Sequence, residues 1–160
     1  MSSDFNKDAL FRSAKRINVS YFKEQQEDAI NAIWQWWQSQ SISFTLSGYA
    51  GTGKTFIMRH LVRYLIIEKV CVTAPTHKAL RVLENSSGKK GMTIQSLCGL
   101  RPDVDIEDYN IENPSFKVIG EQKMRGYRLV IIDECSMINP GLFNLLIKTA
   151  IQCRCKLLFL

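Results

Sequence analysis

An eight-residue stretch, Gly48 to Thr55, has the residue types and spacing of a phosphate-binding loop. Its sequence, GYAGTGKT, fits the pattern G-x-x-x-x-G-K-[ST]. Glycines let such a loop wrap a phosphate with its backbone N–H groups turned inward, and the N-terminus of the next helix adds partial positive charge. The pattern therefore predicts that Lys54 reaches the β- and γ-phosphates of a nucleotide and that the Thr55 hydroxyl holds Mg²⁺.

Two adjacent carboxylates, Asp133 and Glu134, follow an apolar run at residues 129–132. This signal is weak alone. Downstream of a phosphate-binding loop it is typical of a Walker B element, because the ends of the two strands meet in space. Asp133 would then hold the Mg²⁺ shell, and Glu134 would orient or deprotonate an attacking water.

The segments around these residues predict an α/β domain. Residues 42–47 favour a strand, and apolar residues recur at helical spacing over residues 56–65. Residues 70–74 form a continuous apolar run of the parallel-sheet kind. We therefore expect a P-loop fold with a mainly parallel sheet flanked by helices.

The residues after the strand at 70–74 should lie on the same rim as the phosphate loop, because ligands sit at the carboxyl ends of parallel strands. Pro75 lies at the turn there, and Thr76 is a candidate helix cap before His77 and Lys78. From the residues alone, a ligand-binding turn and an ordinary capped helix with solvated charges both remain open.

A helix is predicted at about residues 23–39, after a shorter one at 4–17. Gln26 could offer its amide to an adenine, but its spacing alone favours a surface glutamine. Trp36 is predicted to point away from the core. Four apolar residues share one stripe and are predicted to face the core: Ile30, Ile33, Trp34 and Trp37.

Length and composition favour one globular domain of 160 residues with an ordinary core. The net charge of +6 permits a polyanionic partner without establishing one. Five cysteines without framework spacing favour free thiols in a cytosol-like compartment. Because no apolar run is long enough to span a membrane and no signal-peptide pattern is present, we expect a cytoplasmic or nucleoid-associated protein.

Composition shifts over residues 101–127 toward acidic residues, proline and glycine. Short strands are predicted at 104–106 and 116–119, so we expect an inserted hairpin. The chain ends in an apolar run at 156–160 that predicts a buried strand. We therefore expect the chain to be part of a longer protein.

The ordered motifs resemble the N-terminal RecA-like domain of a superfamily 1B DNA helicase, nearest the Dda-like and RecD-like group. The resemblance covers residues 20–160 and rests on five places: Gln26, GYAGTGKT at 48–55, TAPTHKA at 73–79, TIQSL at 93–97 and DECSM at 133–137. It implies an ATP- and Mg²⁺-dependent DNA helicase that moves 5′ to 3′ on single-stranded DNA and opens duplexes at junctions with single strands.

The resemblance also implies roles by position, including catalysis by Glu134 and Lys54 and metal binding by Thr55 and Asp133. It favours adenine recognition by Gln26, whereas Gln95 stands where the family usually has histidine, which leaves that DNA contact open. The implied nucleotide set is Gln26, Gly48, Ala50, Gly51, Thr52, Gly53, Lys54 and Thr55. The implied DNA-contacting set is Pro75, Thr76, His77, Lys78, Thr93 and Ser96.

The inserted hairpin occupies the place of the family's strand-separating pin, with Phe116 or Tyr109 as the candidate aromatic. The resemblance further implies a Gly-Asp-x-x-Gln motif soon after Leu160, a second RecA-like domain with its arginines, replication or repair partners, and a monomeric complete protein. Without those arginines, this chain alone is expected to be inactive. The alternatives are a DNA-dependent P-loop ATPase that does not unwind, such as a loader, and a nucleic-acid-binding module with a vestigial site. The intact Lys54 and Glu134 argue against the second alternative.

Overall fold

The computed structural model describes residues 24–49, 51–64, 69–100 and 120–160. The helices are α1 (Glu24–Gln38), α2 (Lys54–Tyr64), α3 (His77–Ser87), α4 (Ile94–Cys98) and α5 (Pro140–Cys153). The strands are β1 (Ser43–Thr45), β2 (Val70–Ala74), β3 (Met92–Thr93), β4 (Leu129–Ile132) and β5 (Lys156–Phe159). Two 3₁₀ turns cover Met124–Gly126 and Cys135–Met137.

The five strands form one parallel sheet in the order β1-β5-β4-β2-β3. β5 therefore lies between the strand that precedes the phosphate loop and the strand that precedes Asp133. β2 and β4 are buried along their whole length, as expected for parallel strands covered on both faces. The predicted α/β fold with a mainly parallel sheet is confirmed.

The sheet separates two hydrophobic cores, because side chains alternate between the faces of each strand. Leu129 and Ile131 of β4 pack with α1, α2 and α3, whereas Val130 and Ile132 pack with α4 and α5. Helices cover both faces of the sheet. Ligand-binding turns therefore lie where the strands begin or end.

The prediction that Trp36 points away from the core is wrong, since only 5% of this residue is exposed. Its ring lies 5.7 Å from Phe44 and contacts Trp37 edge-on, with ring centroids 6.3 Å apart. The ammonium of Lys156 lies 5.0 Å from the Trp36 ring centroid. The last turn of α1 is thus covered on a second side by β1 and β5, so its buried surface is wider than one helical stripe.

Lys156 also fastens the end of α1. Its ammonium donates hydrogen bonds to three backbone carbonyls, those of Trp36 at 3.0 Å, Ser39 at 2.9 Å and Ser41 at 2.8 Å. Carbonyls at a helix C-terminus have no partner within the helix, so a lysine there satisfies groups that would otherwise need water. The residue joins the first described helix to the last strand.

The five cysteines are free thiols, as the sequence predicts. Burial raises the pKa of Cys71, Cys98 and Cys155 to about 12, so these three are protonated at neutral pH. None of the helices in the described part of the chain is long and apolar enough to cross a membrane.

The predicted hairpin strands, the predicted helix at 4–17, Tyr109 and Phe116 lie outside the described residues. The two ends that flank residues 101–119 are held together, because the Gly120 amide donates to the Gly99 carbonyl at 3.0 Å. A Cβ atom on Gly99, whose φ is +70°, would lie 2.6 Å from the Gly120 carbonyl oxygen. Glycine is therefore needed at position 99 both for its backbone conformation and for this close approach.

Candidate functional site

The predicted site residues gather at the carboxyl edge of the sheet. The phosphate loop follows β1, Asp133 follows β4, Pro75 follows β2, and Ser96 lies in the helix that follows β3. The strand order places the nucleotide motifs after β1 and β4 and the proposed DNA motifs after β2 and β3. One edge of the sheet thus carries both sets side by side.

The phosphate loop depends on two glycines with positive φ angles, Gly51 at +80° and Gly53 at +92°. A Cβ atom on Gly53 would overlap the side-chain nitrogen of Gln26, so the position requires glycine for space as well as for conformation. The Thr52 hydroxyl donates to the Tyr49 carbonyl at 2.8 Å and tightens the loop. Ala50 lies outside the described residues.

Gln26 lies beside the phosphate loop. Its side-chain nitrogen is 3.4 Å from the Thr52 carbonyl oxygen, and helix α1 brings it there from 26 residues earlier in the chain. Spacing alone favoured a surface glutamine, because a contact between residues 26 positions apart leaves no local pattern in the sequence. The position fits the nucleotide role that the resemblance implies, and that role stays a prediction.

Lys54 is the first residue of α2, and its side chain folds back over the loop. The ammonium donates to the Gly48 carbonyl at 2.5 Å and to the Tyr49 carbonyl at 3.2 Å. These bonds hold a positive charge at the loop where a phosphate would be cradled. Thr55, the next residue, is exposed at the same helix N-terminus.

Asp133 extends the sheet beyond β4, because its amide donates to the Thr73 carbonyl at 3.0 Å. Its carboxylate accepts a hydrogen bond of 2.9 Å from the Glu134 amide. Glu134 is exposed and adopts a left-handed conformation, with φ 54° and ψ 42°. A non-glycine residue in this region stores strain, which is often found where a backbone presents a functional side chain.

The pKa of Cys135 responds to charges from both nucleotide motifs. Burial is the largest cause of its raised pKa, and the Asp133 carboxylate raises that pKa further, while the Lys54 ammonium lowers it. Both charges therefore lie close enough to act on one thiol. The sequence motif gave no signal for this thiol, since it occupies the variable position of DECSM.

The donors present fit Mg²⁺ bound together with a nucleotide. A hydroxyl from Thr55 and a carboxylate from Asp133 are hard oxygen ligands, and Mg²⁺ commonly takes one or two protein ligands with phosphates and water completing its shell. Within the described ranges, no group of three or more His, Cys, Asp or Glu side chains could hold a metal by itself. The oxygen donors and the glycine loop thus suit a metal–triphosphate pair.

The six residues predicted to contact DNA fall into two groups. The Thr76 hydroxyl accepts from the Ala79 amide at 3.2 Å, and the buried Thr93 accepts from the Ser96 amide at 3.2 Å. Thr76 and Thr93 are therefore helix caps, and Pro75 is buried in the turn. The remaining three are more accessible, since His77 and Lys78 are exposed and Ser96 is half-buried.

Sequence reasoning missed Lys123. Its ammonium donates to the Ser96 hydroxyl at 3.4 Å, across 27 residues of sequence. Lys123 lies near the end of the hairpin predicted at 101–127, in a stretch without a recognised motif. Only the three-dimensional fold brings it to the predicted DNA-binding edge.

A family model described as an AAA domain matches residues 21–160. The chain belongs to this family of AAA domains. Over 129 residues, or 79% of the chain, it is 33% identical to the ATP-dependent DNA helicase Dda of Enterobacteria phage T4. That match spans 28% of the phage protein.

Solved structures agree with this assignment. The AAA domain is similar to the Pif1 helicase of Candida albicans, with 25% identity and a TM-score of 0.59, covering 88% of this chain and 32% of that one. It also shares the fold of Bacteroides Pif1 bound to single-stranded DNA, with a TM-score of 0.56, 22% identity and the same 88% and 32% coverage. The resemblance to the N-terminal RecA-like domain of superfamily 1B helicases is confirmed.

Proposed function

We propose that the complete protein is an ATP-dependent DNA helicase and that this chain is its ATP-binding RecA-like domain. The observation that carries the proposal is the shared carboxyl edge, where the phosphate loop and Asp133 lie beside the turn of Pro75 to Lys78. The relative Dda, named as an ATP-dependent DNA helicase, supports the same function.

In this mechanism, Lys54 and the loop amides bind the phosphates, and Gln26 contacts the adenine. Thr55 and Asp133 would hold Mg²⁺, and the ion would supply positive charge beside the phosphoryl oxygens. Glu134 accepts the proton of the attacking water. Its amide donates to the Asp133 carboxylate, which links the proposed base to the proposed metal ligand.

A direct backbone link joins the two halves of the site. The Asp133 amide is bonded to the Thr73 carbonyl, and Thr73 lies two residues before Pro75. A displacement of Asp133 during the nucleotide cycle would therefore reach the DNA-binding turn through β2. Alternating closure and reopening against a second RecA-like domain would convert this into movement along single-stranded DNA, 5′ to 3′.

The finer features of the proposal rest on the resemblance. Junctions between duplex and single strand would be the substrate, and Phe116 or Tyr109 on the inserted segment would stack on the last base pair. Replication or repair proteins would be partners of a monomeric helicase in the cytoplasm or at the nucleoid. Replacing Phe116 with alanine should then slow unwinding in the complete protein while leaving DNA-stimulated ATPase nearly intact.

The test uses the complete protein with a duplex that carries a 5′ single-stranded tail. We expect ATP turnover that single-stranded DNA stimulates, together with strand separation that requires ATP. Stimulated turnover without strand separation would instead identify an ATPase that acts on DNA without unwinding it. Turnover indifferent to DNA would contradict any DNA-coupled function.

A further inference from the structure

The segment that returns from residues 101–119 is docked against helix α4. The Lys123 amide donates to the Leu97 carbonyl at 3.1 Å, and the Gly120 amide donates to the Gly99 carbonyl at 3.0 Å. Two backbone bonds thus place this segment along the motif at 93–97. They leave the Lys123 side chain exposed at that helix.

The residues on either side of Lys123 hold it in position. Met124 is fully buried among residues of the α4 and α5 side of the sheet. Gln122 donates to the Thr149 hydroxyl of α5 at 3.1 Å. Because both neighbours are anchored, the backbone of Lys123 is held at the carboxyl edge, and its side chain reaches the Ser96 hydroxyl from there.

Toward the described residues, the ammonium of Lys123 has donors left for an anion. A lysine carries three N–H donors and no acceptor, and within the described ranges only the bond to Ser96, at 3.4 Å, engages this group. β3 pairs with β2 through Ala74 and Thr93, so α4 begins beside the turn that leads to Lys78. The carboxylate of Glu121 and the guanidinium of Arg125 lie on the same segment, two residues away on either side.

We propose that Lys123 is a further DNA-binding residue, which contacts a backbone phosphate of the single strand together with Ser96. This proposal rests on the proposed function and extends it to a residue near the end of the hairpin predicted at 101–127. Such a contact would read no base, so it would strengthen binding equally on all sequences. It would also join the base of the inserted segment to the strand.

The experiment measures binding of the complete protein to oligo(dT) and to a mixed-sequence oligonucleotide over a range of salt concentrations. Lys123→Ala should reduce the slope of log K against log salt by about 0.7, since a single-strand phosphate contact contributes about that much. The corresponding loss of affinity is about fivefold at 0.1 M salt, because a slope change of about 0.7 acts over the one decade between this salt and a 1 M reference. Lys123→Arg should retain both values.

Arg125→Ala is the matched control. It removes one positive charge from an exposed residue of the same segment, two positions away. It should change the slope less than Lys123→Ala does. Lys123→Gln separates structure from charge, because glutamine can still donate to Ser96 but has no positive charge. Its slope should match that of Lys123→Ala.

Equal slopes for Lys123→Ala and Arg125→Ala would overturn the proposal, and so would an unchanged slope in Lys123→Gln. An unchanged melting temperature in Lys123→Gln excludes a folding defect as the cause of a lower slope. Absence of single-strand binding in the unsubstituted protein would instead contradict the proposed function itself. The two failures are therefore distinguishable.

Discussion

The nucleotide half and the DNA half of the carboxyl edge use their motif residues differently. In the nucleotide half, charged side chains contact the loops that carry them, as Lys54 does with the Gly48 carbonyl and Asp133 with the Glu134 amide. In the DNA half, Thr76 and Thr93 cap helices. Stabilising a turn and contacting a ligand are thus separate roles. Residues in either role belong to the sequence motifs.

This difference predicts how substitutions should behave. Changes in the nucleotide half should act on chemistry or on nucleotide affinity. Changes at the capping threonines should act on stability, whereas changes at the exposed cations should act on the electrostatic part of DNA binding. The following predictions test that division, all in the complete protein.

Glu134→Gln should have the largest effect. Replacement of the general base by an amide of the same shape should lower ATP turnover by about 10²–10⁴-fold while Mg·ATP binding is retained. Lys54→Ala should instead weaken binding and turnover together, because its ammonium lies at the loop. Steady-state ATPase rates and nucleotide titrations measure both. Normal turnover in Glu134→Gln would remove Glu134 from its proposed role.

Gly53→Ala should weaken nucleotide binding by about tenfold or more relative to Gly51→Ala. Both residues have positive φ angles, so both alanines introduce backbone strain of about 1–3 kcal/mol. Only at Gly53 would the new Cβ also displace Gln26, since no described residue lies within 4 Å of a Cβ at Gly51. Adding Gln26→Ala to Gly53→Ala should restore space but not adenine recognition. Equal nucleotide affinities for the two glycine variants would show that displacing Gln26 from the loop does not affect nucleotide binding.

Lys78→Ala should weaken single-strand binding by about fivefold at 0.1 M salt and lower the salt slope by about 0.7, equally on every DNA sequence. Lys90→Ala is its control, because Lys90 is also exposed but lies beyond the opposite end of α3. The same salt titration measures both. A slope that falls equally in the two variants would show that Lys78 acts only as a general surface charge and does not contact a phosphate.

Thr93→Ala should have the smallest effect on DNA binding and act on folding instead. Loss of the bond to the Ser96 amide should lower the free energy of unfolding by about 0.5–2 kcal/mol, the usual range for a helix cap. Thr93→Ser should restore most of that stability, since its hydroxyl can accept the same bond. Denaturant unfolding gives the stability, and an altered salt slope in a folded Thr93→Ala protein would make Thr93 a direct DNA contact.

Local patterns predicted much of this fold. The phosphate loop, the buried strands and the capped start of α3 each depend on residues within one or two turns of chain, so periodicity and turn chemistry were enough. The contact between Gln26 and Thr52 and the one between Lys123 and Ser96 each join segments more than 25 residues apart. Periodicity contains no information on such pairs.

Trp36 shows the same limit within a hydrophobic core. A single helical stripe describes a helix with one partner, but the last turn of α1 packs against both the sheet and the Lys156 side chain. The second partner comes from the opposite end of the chain. Its position depends on where β5 inserts in the sheet, which the sequence of α1 does not encode.

The position of β5 has a consequence for synthesis on the ribosome. Within the described residues, β1 pairs only with β5, so the strand that precedes the phosphate loop has no sheet neighbour until residues 156–159 are made. About 110 residues separate the two strands, which at about 5–20 residues per second corresponds to roughly 6–22 s of translation. During that interval the exposed strand depends on chaperones or on local structure to avoid misassembly. A nascent chain should therefore acquire nucleotide affinity abruptly, when β5 emerges.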